Sequence, residues 1–465
     1  MEIRKLQMIR KCVFFSLMIW GGLSFCSSAY AATAIYRSVG PANTADLNTS
    51  DWTMEISETT AFFSGSMPSN VGVGDVLQYD PGTGLTLAFI SGRISSTVFA
   101  VQSGDGGTPE AAPAETAVEV FRSYTSLSEA ENGTENSSID AGLSDFDAWS
   151  DGKDLTITDQ QWNIVCYGDA EDTTMGVVIQ GWTTDADNYL RIYAPYLASE
   201  VGTSQRHSGV WDDNKYRLVV SDDFPEGPPL AINTGSDVSS VNVWIDGLQI
   251  FTNSMIMNSY GIEAYNVTGE TKISNNIIKC DLALSSNWGL YVHNLTHTGT
   301  YKVWNNILYG FFDGGIYLSG SENTLYAHNN TIAGGSENDA CYSQSSGTFV
   351  AKNNIAQSCA AGYAGDFGIS STNNLSDLED APGLDPANLS ALNFANSGSG
   401  NYHLRSSDVA AIGQGSNLLA DEGLSFSSDI GGRSRIEPWD IGAFRYIVGE
   451  IDETAPGYPS SLIVH

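Results

Sequence analysis

Short apolar runs alternate with polar turns between residues 243 and 378, and one pattern recurs there. Each copy consists of a short apolar strand, a pair of asparagines and a second apolar strand. The clearest copies are residues 272–278, 302–308, 326–332, 350–356 and 370–376, with a degenerate copy at 243–249. The Asn pairs begin at residues 275, 305, 329, 353 and 373, so their intervals are 30, 24, 24 and 20 residues. A period in this range indicates a repeat architecture.

A second strand precedes each of the first four Asn pairs, at residues 261–264, 289–292, 315–318 and 340–343. A unit of such short strands cannot bury its own apolar face and gains a core only by stacking on its neighbours. Propeller blades need about 40 residues, and leucine-rich repeats need a regular leucine spacing that is missing here. The pattern therefore predicts an all-β chain folded as a right-handed parallel β-helix. Asparagine suits its turns, because it tolerates the left-handed conformation and its amide can bond to the next coil, about 4.8 Å away.

The flanking sequence predicts how the solenoid begins and ends. Further short strands between residues 155 and 233 extend the coils, which we place at 151–390. The open ends of a solenoid need caps. We expect residues 32–150 to form an N-terminal cap with a small β-rich insertion, and residues 391–446 to form a C-terminal capping segment. Residues 447–465 are predicted to be a linker-like tail.

Composition narrows the range of partners. The chain has 465 residues, with 20 Lys+Arg against 54 Asp+Glu and a formal net charge of -34. This charge excludes a protein that binds nucleic acid or anionic membranes by neutralising phosphates.

The first 31 residues resemble a secretory signal peptide. Arg4, Lys5, Arg10 and Lys11 precede an apolar run at 13–23 and a small-residue cleavage site at 29–31. No other apolar run reaches the ~18 residues of a membrane span. We therefore predict export without a membrane span, to the outside of the cell or its surface. Beyond this segment lie Cys166, Cys280, Cys341 and Cys359, which we expect to be small buried residues and not a disulfide framework.

With its Asn-Asn-Ile units, the chain resembles the secreted bacterial right-handed parallel β-helix repeat proteins, which share the pectate-lyase-like architecture. Residues 402–413, 429–433 and 440–444 are similar to the closing segment of many of these proteins, although Arg445 stands where an acid commonly follows the aromatic residue. Residues 452–462 resemble the linker and first strand of a fibronectin type III module. The main resemblance covers residues 150 to 446 and implies the fold, but says much less about activity.

Strand alternation predicts which side chains point outward. With Ile262, Leu290, Ile316 and Cys341 inward, three outward columns follow: Glu263, Tyr291, Tyr317 and Tyr342; Tyr265, His293, Ser319 and Gln344; and Ser274, Trp304, His328 and Lys352. Sugars place their C–H faces on rings and their hydroxyls on polar groups. The sequence therefore predicts a carbohydrate-binding face formed by Tyr291, Tyr317, Tyr342, His293 and Trp304. A ladder that only stabilises strand stacking fits the same residues.

No motif identifies a catalytic centre. Asp313 and Asp339 precede corresponding strands of adjacent coils and are candidates for the two carboxylates of a glycoside hydrolase. His328 and Lys352, neighbours on consecutive coils, are candidates for proton transfer. Solvated turn residues and exposed ladder residues are the alternative interpretations. A uronate lyase is disfavoured, because no arginine lies between Arg217 and Arg405 and the net charge repels anionic polymers.

Cofactor signals are weak. No spacing resembles a zinc site or a phosphate-binding loop, so no metal or nucleotide cofactor is predicted. Ca²⁺ stays open as an alternative at three aspartate pairs, none of which supplies a full ligand set. They are Asp185 and Asp187, Asp212 and Asp213, and Asp222 and Asp223. The loop at 205–217 could close over a groove or pack on the coils.

These observations lead to one main hypothesis and two alternatives. The main hypothesis is an exported β-helix protein whose rigid face binds a neutral or basic extracellular polysaccharide, without a recognisable catalytic constellation. The first alternative is a polysaccharide-degrading hydrolase or, less readily, a lyase. The second is a structural or adhesive surface protein.

Overall fold

The computed structural model describes residues 31–449 apart from 148, 150, 151, 175, 221–227, 234–240, 253–259, 282–286, 295–296 and 335–339. The predicted signal peptide therefore lies outside the described residues except for Ala31, and so does the predicted tail from residue 450 onward. Within the described ranges, no helix has the length and apolar character needed to cross a bilayer.

Three parallel sheets run the length of the repeat region. Sheet A contains Thr33–Val39, Gln160–Cys166, Leu190–Tyr193, Val243–Asp246, Gly269–Ser274, Gly299–Trp304, Thr324–His328 and Thr348–Lys352. Sheet B contains Glu171–Asp172, Arg217–Val220, Gln249–Thr252, Ile277–Cys280, Ile307–Tyr309, Thr331–Ala333, Ile355–Gln357 and Leu375–Ser376. Sheet C contains Val177–Ile179, Leu230–Asn233, Ile262–Tyr265, Trp288–His293, Gly314–Ser319, Ala340–Gln344 and Ala361–Ala364. A full coil passes through sheets C, A and B in turn.

The chain is a parallel β-helix of about six turns, which confirms the predicted fold class. Each strand pairs in parallel with its counterpart one coil away; for example, Ile273 lies opposite Val303, which lies opposite Ala327. Equivalent apolar side chains therefore stack into continuous inward columns. Ile262, Leu290 and Ile316 form one such column and are fully buried.

The Asn pairs form the turns between sheets A and B, as predicted. The first asparagine of each pair has a left-handed backbone, with φ of 56° at Asn275, 55° at Asn305, 54° at Asn329, 55° at Asn353 and 52° at Asn373. The second asparagine points inward and joins a ladder. Asn276 donates to Asn306 at 3.0 Å, Asn306 to Asn330 at 3.0 Å, Asn330 to Asn354 at 3.1 Å and Asn354 to Asn374 at 3.1 Å. The predicted amide bonds between successive coils are therefore present.

The N-terminal region begins the solenoid and carries a separate sheet. Thr33–Val39 pairs with Gln160–Cys166, and helix Leu127–Asn132 begins where Ser126 accepts a hydrogen bond from the Glu129 amide. A short helix, Leu155–Thr158, precedes the coils. The insertion is a seven-stranded antiparallel sheet with its own apolar core. Its strands in spatial order are Ala112–Thr116, Met54–Ser57, Thr60–Phe63, Val98–Gln102, Thr86–Arg93, Val76–Tyr79 and Val118–Phe121.

The C-terminal segment, residues 391–446, lies along the side of the solenoid where sheets A and B meet. Its only described regular element is the 3-10 helix Ser397–Ser399. Apolar residues of this segment, including Phe394 and Phe444, form a core with Ile277 and Ile307 of sheet B. The first asparagines of the turns donate to its carbonyls: Asn353 to Ser416, Asn329 to Asp440 and Asn305 to Ser428. The Asn turns therefore also anchor the segment that covers them.

The cysteine prediction needs a correction. Cys341 and Cys359 form a disulfide with a Cα–Cα distance of 5.7 Å, whereas Cys166 and Cys280 are buried and take no part in a disulfide. All four are buried, as expected. Their spacing in the sequence did not reveal the bond, because the two partners lie on successive coils and only the coil geometry brings them together.

Candidate binding site on the outer face of sheet C

Three neighbouring strands of sheet C place polar and aromatic side chains on one outward surface. Glu263 lies opposite Tyr291, which lies opposite Tyr317. In the next outward column, Tyr265 lies opposite His293. All five side chains are partly exposed, while the residues between them in each strand point into the core. The surface therefore follows directly from strand alternation on successive coils.

The aromatic rings of this surface form a stack along the solenoid. The rings of Tyr260 and Tyr291 are 4.1 Å apart and inclined by 2°, and those of Tyr291 and Tyr317 are 5.0 Å apart and inclined by 7°. Trp288 packs at 45° against Tyr317, with 5.0 Å between ring centres. His293 meets Tyr291 edge-on at 5.7 Å. We call Tyr260, Glu263, Tyr265, Trp288, Tyr291, His293 and Tyr317 the sheet C face; Tyr260 is only 8% exposed, and the other six side chains are partly exposed.

Parallel stacking decides what this surface can offer a ligand. The tyrosine rings cover one another's faces, so the ring edges and phenol groups point outward. The Tyr317 hydroxyl donates to Oγ of Ser345 at 3.0 Å. The face is therefore a row of hydrogen-bonding groups with the tilted ring of Trp288 beside it.

Two carboxylates give this surface a negative character. Burial raises the pKa of Glu263 above its ordinary value. Burial also raises the pKa of Tyr260, and smaller contributions in the same direction come from Tyr291, Glu263 and Asp313. Asp313 therefore lies close enough to the face to act on it. The described strands of sheet C contain no lysine or arginine.

Tyr342, predicted in the outward column, is not part of this surface. Tyr342 lies opposite Ile316 and is fully buried, and Ser343 takes the position opposite Tyr317. The Tyr342 ring stacks on Tyr363 at 4.8 Å. The strand is paired one residue away from the predicted register, and such a shift exchanges the two sides of a strand. For the same reason Gln344 lies opposite Leu318 and not opposite Ser319.

Trp304, His328 and Lys352 have the predicted register in sheet A, but Trp304 and His328 are buried and the Lys352 side chain is only 15% exposed. The C-terminal segment covers them. Trp304 is only 8% exposed and stacks on Phe426 at 6.2 Å. Trp304 is also on a different sheet from the tyrosines. The predicted carbohydrate-binding set therefore divides between two sides of the molecule.

The C-terminal segment also prevents His328 and Lys352 from acting as the predicted proton-transfer pair. His328 is fully buried, with Nδ1 3.3 Å from the Leu424 carbonyl, and Lys352 pairs with Asp421 at 2.5 Å. Burial lowers the pKa of His328 to about 3, with a smaller effect of Asp421 in the opposite direction. A buried neutral histidine behind a covering segment cannot exchange protons with a polymer outside.

Asp313, Asp339 and the loop at 205–217 are the remaining candidates from the sequence. The Asp313 amide donates to the Asn287 carbonyl at 3.1 Å, which places this residue beside Trp288 at the edge of the sheet C face. Asp339 lies outside the described residues, so the predicted carboxylate pair stays untested. The loop at 205–217 packs on the coils, because Arg206 pairs with buried Asp246 and His207 is itself buried.

The calcium alternatives gain no support from the described residues. Asp185 and Asp212 accept hydrogen bonds from amides in their own turns. Asp222 and Asp223 lie outside the described residues. In the part of the chain that the structure describes, no cluster of three or more His, Cys, Asp or Glu residues could hold a metal ion.

Two aromatic residues of the sheet C face were not predicted. Tyr260 and Trp288 each stand immediately before a glycine, Gly261 or Gly289, that precedes the apolar residue of its strand. The shared position was visible in the aligned repeat. Strand alternation counted from the glycine onward does not extend to this position, so the predicted outward columns do not contain it.

Comparison with known proteins supplies no argument about the fold or the function. No family model matches the chain, and no curated protein matches it. Among solved structures, the chain is similar to the tailspike protein gp49 from Pseudomonas phage LKA1, with 10% identity and a TM-score of 0.19. The match covers 78% of this chain and 62% of the tailspike chain. A likeness this distant carries no argument; strand pairing alone defines the chain as a parallel β-helix repeat protein.

Proposed function

We propose that the sheet C face binds an extracellular polysaccharide. The observation that carries this proposal is the partly exposed row of Tyr291, Tyr317 and Trp288, which lie side by side on two consecutive coils. The phenol hydroxyls can exchange hydrogen bonds with sugar hydroxyls, and the tilted Trp288 ring can contact the C–H face of a sugar. A row of repeated contacts suits a polymer better than a small compact ligand.

Rigidity supports this interpretation. Each strand of the face is paired on both sides in a parallel sheet, and the stacked tyrosine rings restrict one another's movement. A preorganised surface loses little conformational entropy on binding. The face therefore does not need to rearrange before it can accept a chain of sugars.

The charge of the face favours a neutral or basic polymer. Glu263 and Asp313 are its nearby ionisable carboxylates, and the formal net charge of the chain is -34. Anionic polysaccharides such as polyuronates would be repelled both locally and at longer range. This argument also disfavours a lyase that acts on uronates.

The proposed location is outside the cell or on its surface. The disulfide between Cys341 and Cys359 is a bond typical of proteins that reach an oxidising compartment. It agrees with the signal-peptide pattern in the first 31 residues.

A glycan array followed by titration calorimetry tests the proposal. We expect binding to at least one neutral or basic polysaccharide, and we expect Tyr317→Ala and Trp288→Ala each to weaken it about tenfold. Phe62→Ala is the matched control, because Phe62 is an exposed aromatic residue on the insertion. Absence of binding across the array, or unchanged affinity in both variants, would remove the proposal and leave a structural or adhesive role.

Glycoside hydrolysis is a second candidate, favoured by one observation. Glu263 and Asp313 both act electrostatically on Tyr260, and burial raises the pKa of Glu263, as a general acid requires. Reducing-end assays on the polysaccharides that bind would detect turnover. We expect Glu263→Gln and Asp313→Asn each to abolish it; no turnover by the wild-type protein excludes the hydrolase.

A further inference from the structure

We propose that the glycan bound by the sheet C face carries free amino groups, and that Glu263 recognises them. This inference rests on the proposed function and names the class of its ligand. It predicts a preference for polymers of amino sugars over their N-acetylated counterparts.

The position of Glu263 is the first argument. The outward column of sheet C consists of Val178, Ala231, Glu263, Tyr291, Tyr317, Ser343 and Ala364. Glu263 is its one charged member, and it lies next to the tyrosine stack. A polymer lying along this column would therefore meet a carboxylate at a fixed place.

The surroundings of Glu263 are the second argument. The carboxylate is partly buried, and the described strands of sheet C contain no lysine or arginine that could neutralise it. Burial raises the pKa of Glu263, and no nearby cation lowers it again. A half-buried carboxylate without a cationic partner gains most from a ligand that brings one.

The neighbouring aromatic residues fit the same ligand. Tyr265 lies on the same side of the strand two residues beyond Glu263, and Tyr291 lies one coil away. An ammonium group has three N–H donors, of which a carboxylate satisfies one or two. The phenol oxygens beside Glu263 can accept the remainder, and aromatic side chains are favourable neighbours for a cation.

This arrangement distinguishes three classes of glycan. A polymer of amino sugars brings the missing positive charge. An N-acetylated polymer has the same backbone but no charge at that position. A polyuronate brings a second negative charge and is repelled. The order of affinity is therefore amino, then N-acetylated, then anionic.

The experiment compares oligosaccharides of glucosamine and of N-acetylglucosamine of equal length, titrated at a pH at which the amine is protonated. The salt concentration is about 0.15 M, because it screens the attraction of any cation to an acidic protein. We expect the wild-type protein to bind the glucosamine oligomer at least about tenfold more tightly, a difference typical of a hydrogen bond between charged groups. Glu263→Gln should remove this preference.

Two further variants make the result specific. Glu55→Gln removes one negative charge from an exposed position on the insertion and should keep the preference. Glu263→Asp keeps the negative charge and should retain part of the preference for the glucosamine oligomer. Circular dichroism and the thermal midpoint of each variant show that the fold is intact.

The two proposals can fail separately. Equal affinity of the wild-type protein for the two oligomers, or a preference that persists in Glu263→Gln, overturns the role of Glu263 and leaves glycan binding standing. If the wild-type protein binds only a neutral glycan, and Tyr317→Ala loses this binding, the role of Glu263 is likewise overturned and glycan binding stands. Absence of binding to every glycan overturns both proposals.

Discussion

At the scale of single residues, the two asparagines of each turn have different structural roles. The first adopts the left-handed backbone that a sharp corner requires, and asparagine tolerates it better than most residues. The second must donate and accept along the same axis, because it bonds to equivalent residues both above and below it. A side-chain amide has both functions, whereas a carboxylate lacks the donor.

The inner ladder makes Asn306 sensitive to substitution. Its amide donates to the Ile273 carbonyl at 2.8 Å and to Asn330, and its oxygen accepts from Asn276. Asn306→Ala leaves buried partners without hydrogen bonds, so we expect the free energy of unfolding to fall by about 1–3 kcal/mol. Urea denaturation measures this change. Asn214→Ala, in an exposed turn, should change it by less than about 0.5 kcal/mol.

His328 should make stability depend on pH. In the folded protein burial lowers its pKa to about 3, whereas an unfolded chain has a value near 6.5. The unfolded state therefore binds more protons between these values, and the free energy of unfolding falls as the pH decreases from 6.5 towards 3. The slope contributed by this residue is about 1.4 kcal/mol per pH unit.

The variant His328→Gln tests this dependence. Denaturation at several pH values between about 4 and 6 should give a slope lower than that of the wild-type protein by roughly 1.4 kcal/mol per unit. A measurement at pH 8, where the histidine is neutral in both states, supplies the offset caused by the substitution itself. Identical slopes would show that the pKa of His328 is not lowered in the folded protein and would contradict the prediction.

At the scale of secondary structure elements, the strand Ala340–Gln344 shows how a small shift changes a surface. Tyr342 and Cys341 are both apolar enough to point inward, so the sequence did not distinguish between two registers one residue apart. Pairing placed Tyr342 opposite Ile316 and brought Cys341 within bonding distance of Cys359. The tyrosine column therefore ends at Tyr317.

The disulfide should stabilise the last coils. Its partners are 18 residues apart in the sequence, and closing a loop of this size contributes about 3 kcal/mol. We expect the double variant Cys341→Ala, Cys359→Ala to be less stable by about this amount in urea denaturation. A reducing agent should lower the stability of the wild-type protein to that of the variant and should leave the stability of the variant unchanged. Equal stability of both proteins without reductant would contradict the prediction.

At the scale of the whole molecule, the C-terminal segment decides which surfaces are free. It buries outward residues of sheets A and B, among them Trp304 and His328, whereas Tyr291 and Tyr317 on sheet C stay partly exposed. The candidate site is thus defined as much by what the segment covers as by the repeat itself.

Net charge acts on the whole molecule too. A formal charge of -34 places many carboxylates within a short distance of one another, and their repulsion is stronger in the folded state than in an expanded chain. We expect the thermal midpoint to rise as NaCl increases from about 0.01 M to about 0.15 M, because the screening length falls from about 30 Å to about 8 Å. Differential scanning calorimetry checks this, and a midpoint that falls over this range would contradict it.

The sequence by itself determined the repeat, the left-handed asparagine turns and the inward columns, because each depends on the local chain and on residues one coil away. It also placed Glu263, Tyr291 and Tyr317 in one column. The tertiary structure alone decided that Tyr342 points inward and that Trp304, His328 and Lys352 are covered. The first outcome depends on a register shift of one residue, and the second depends on contacts with a segment far along the chain. The local pattern of apolar and polar residues reveals neither of these.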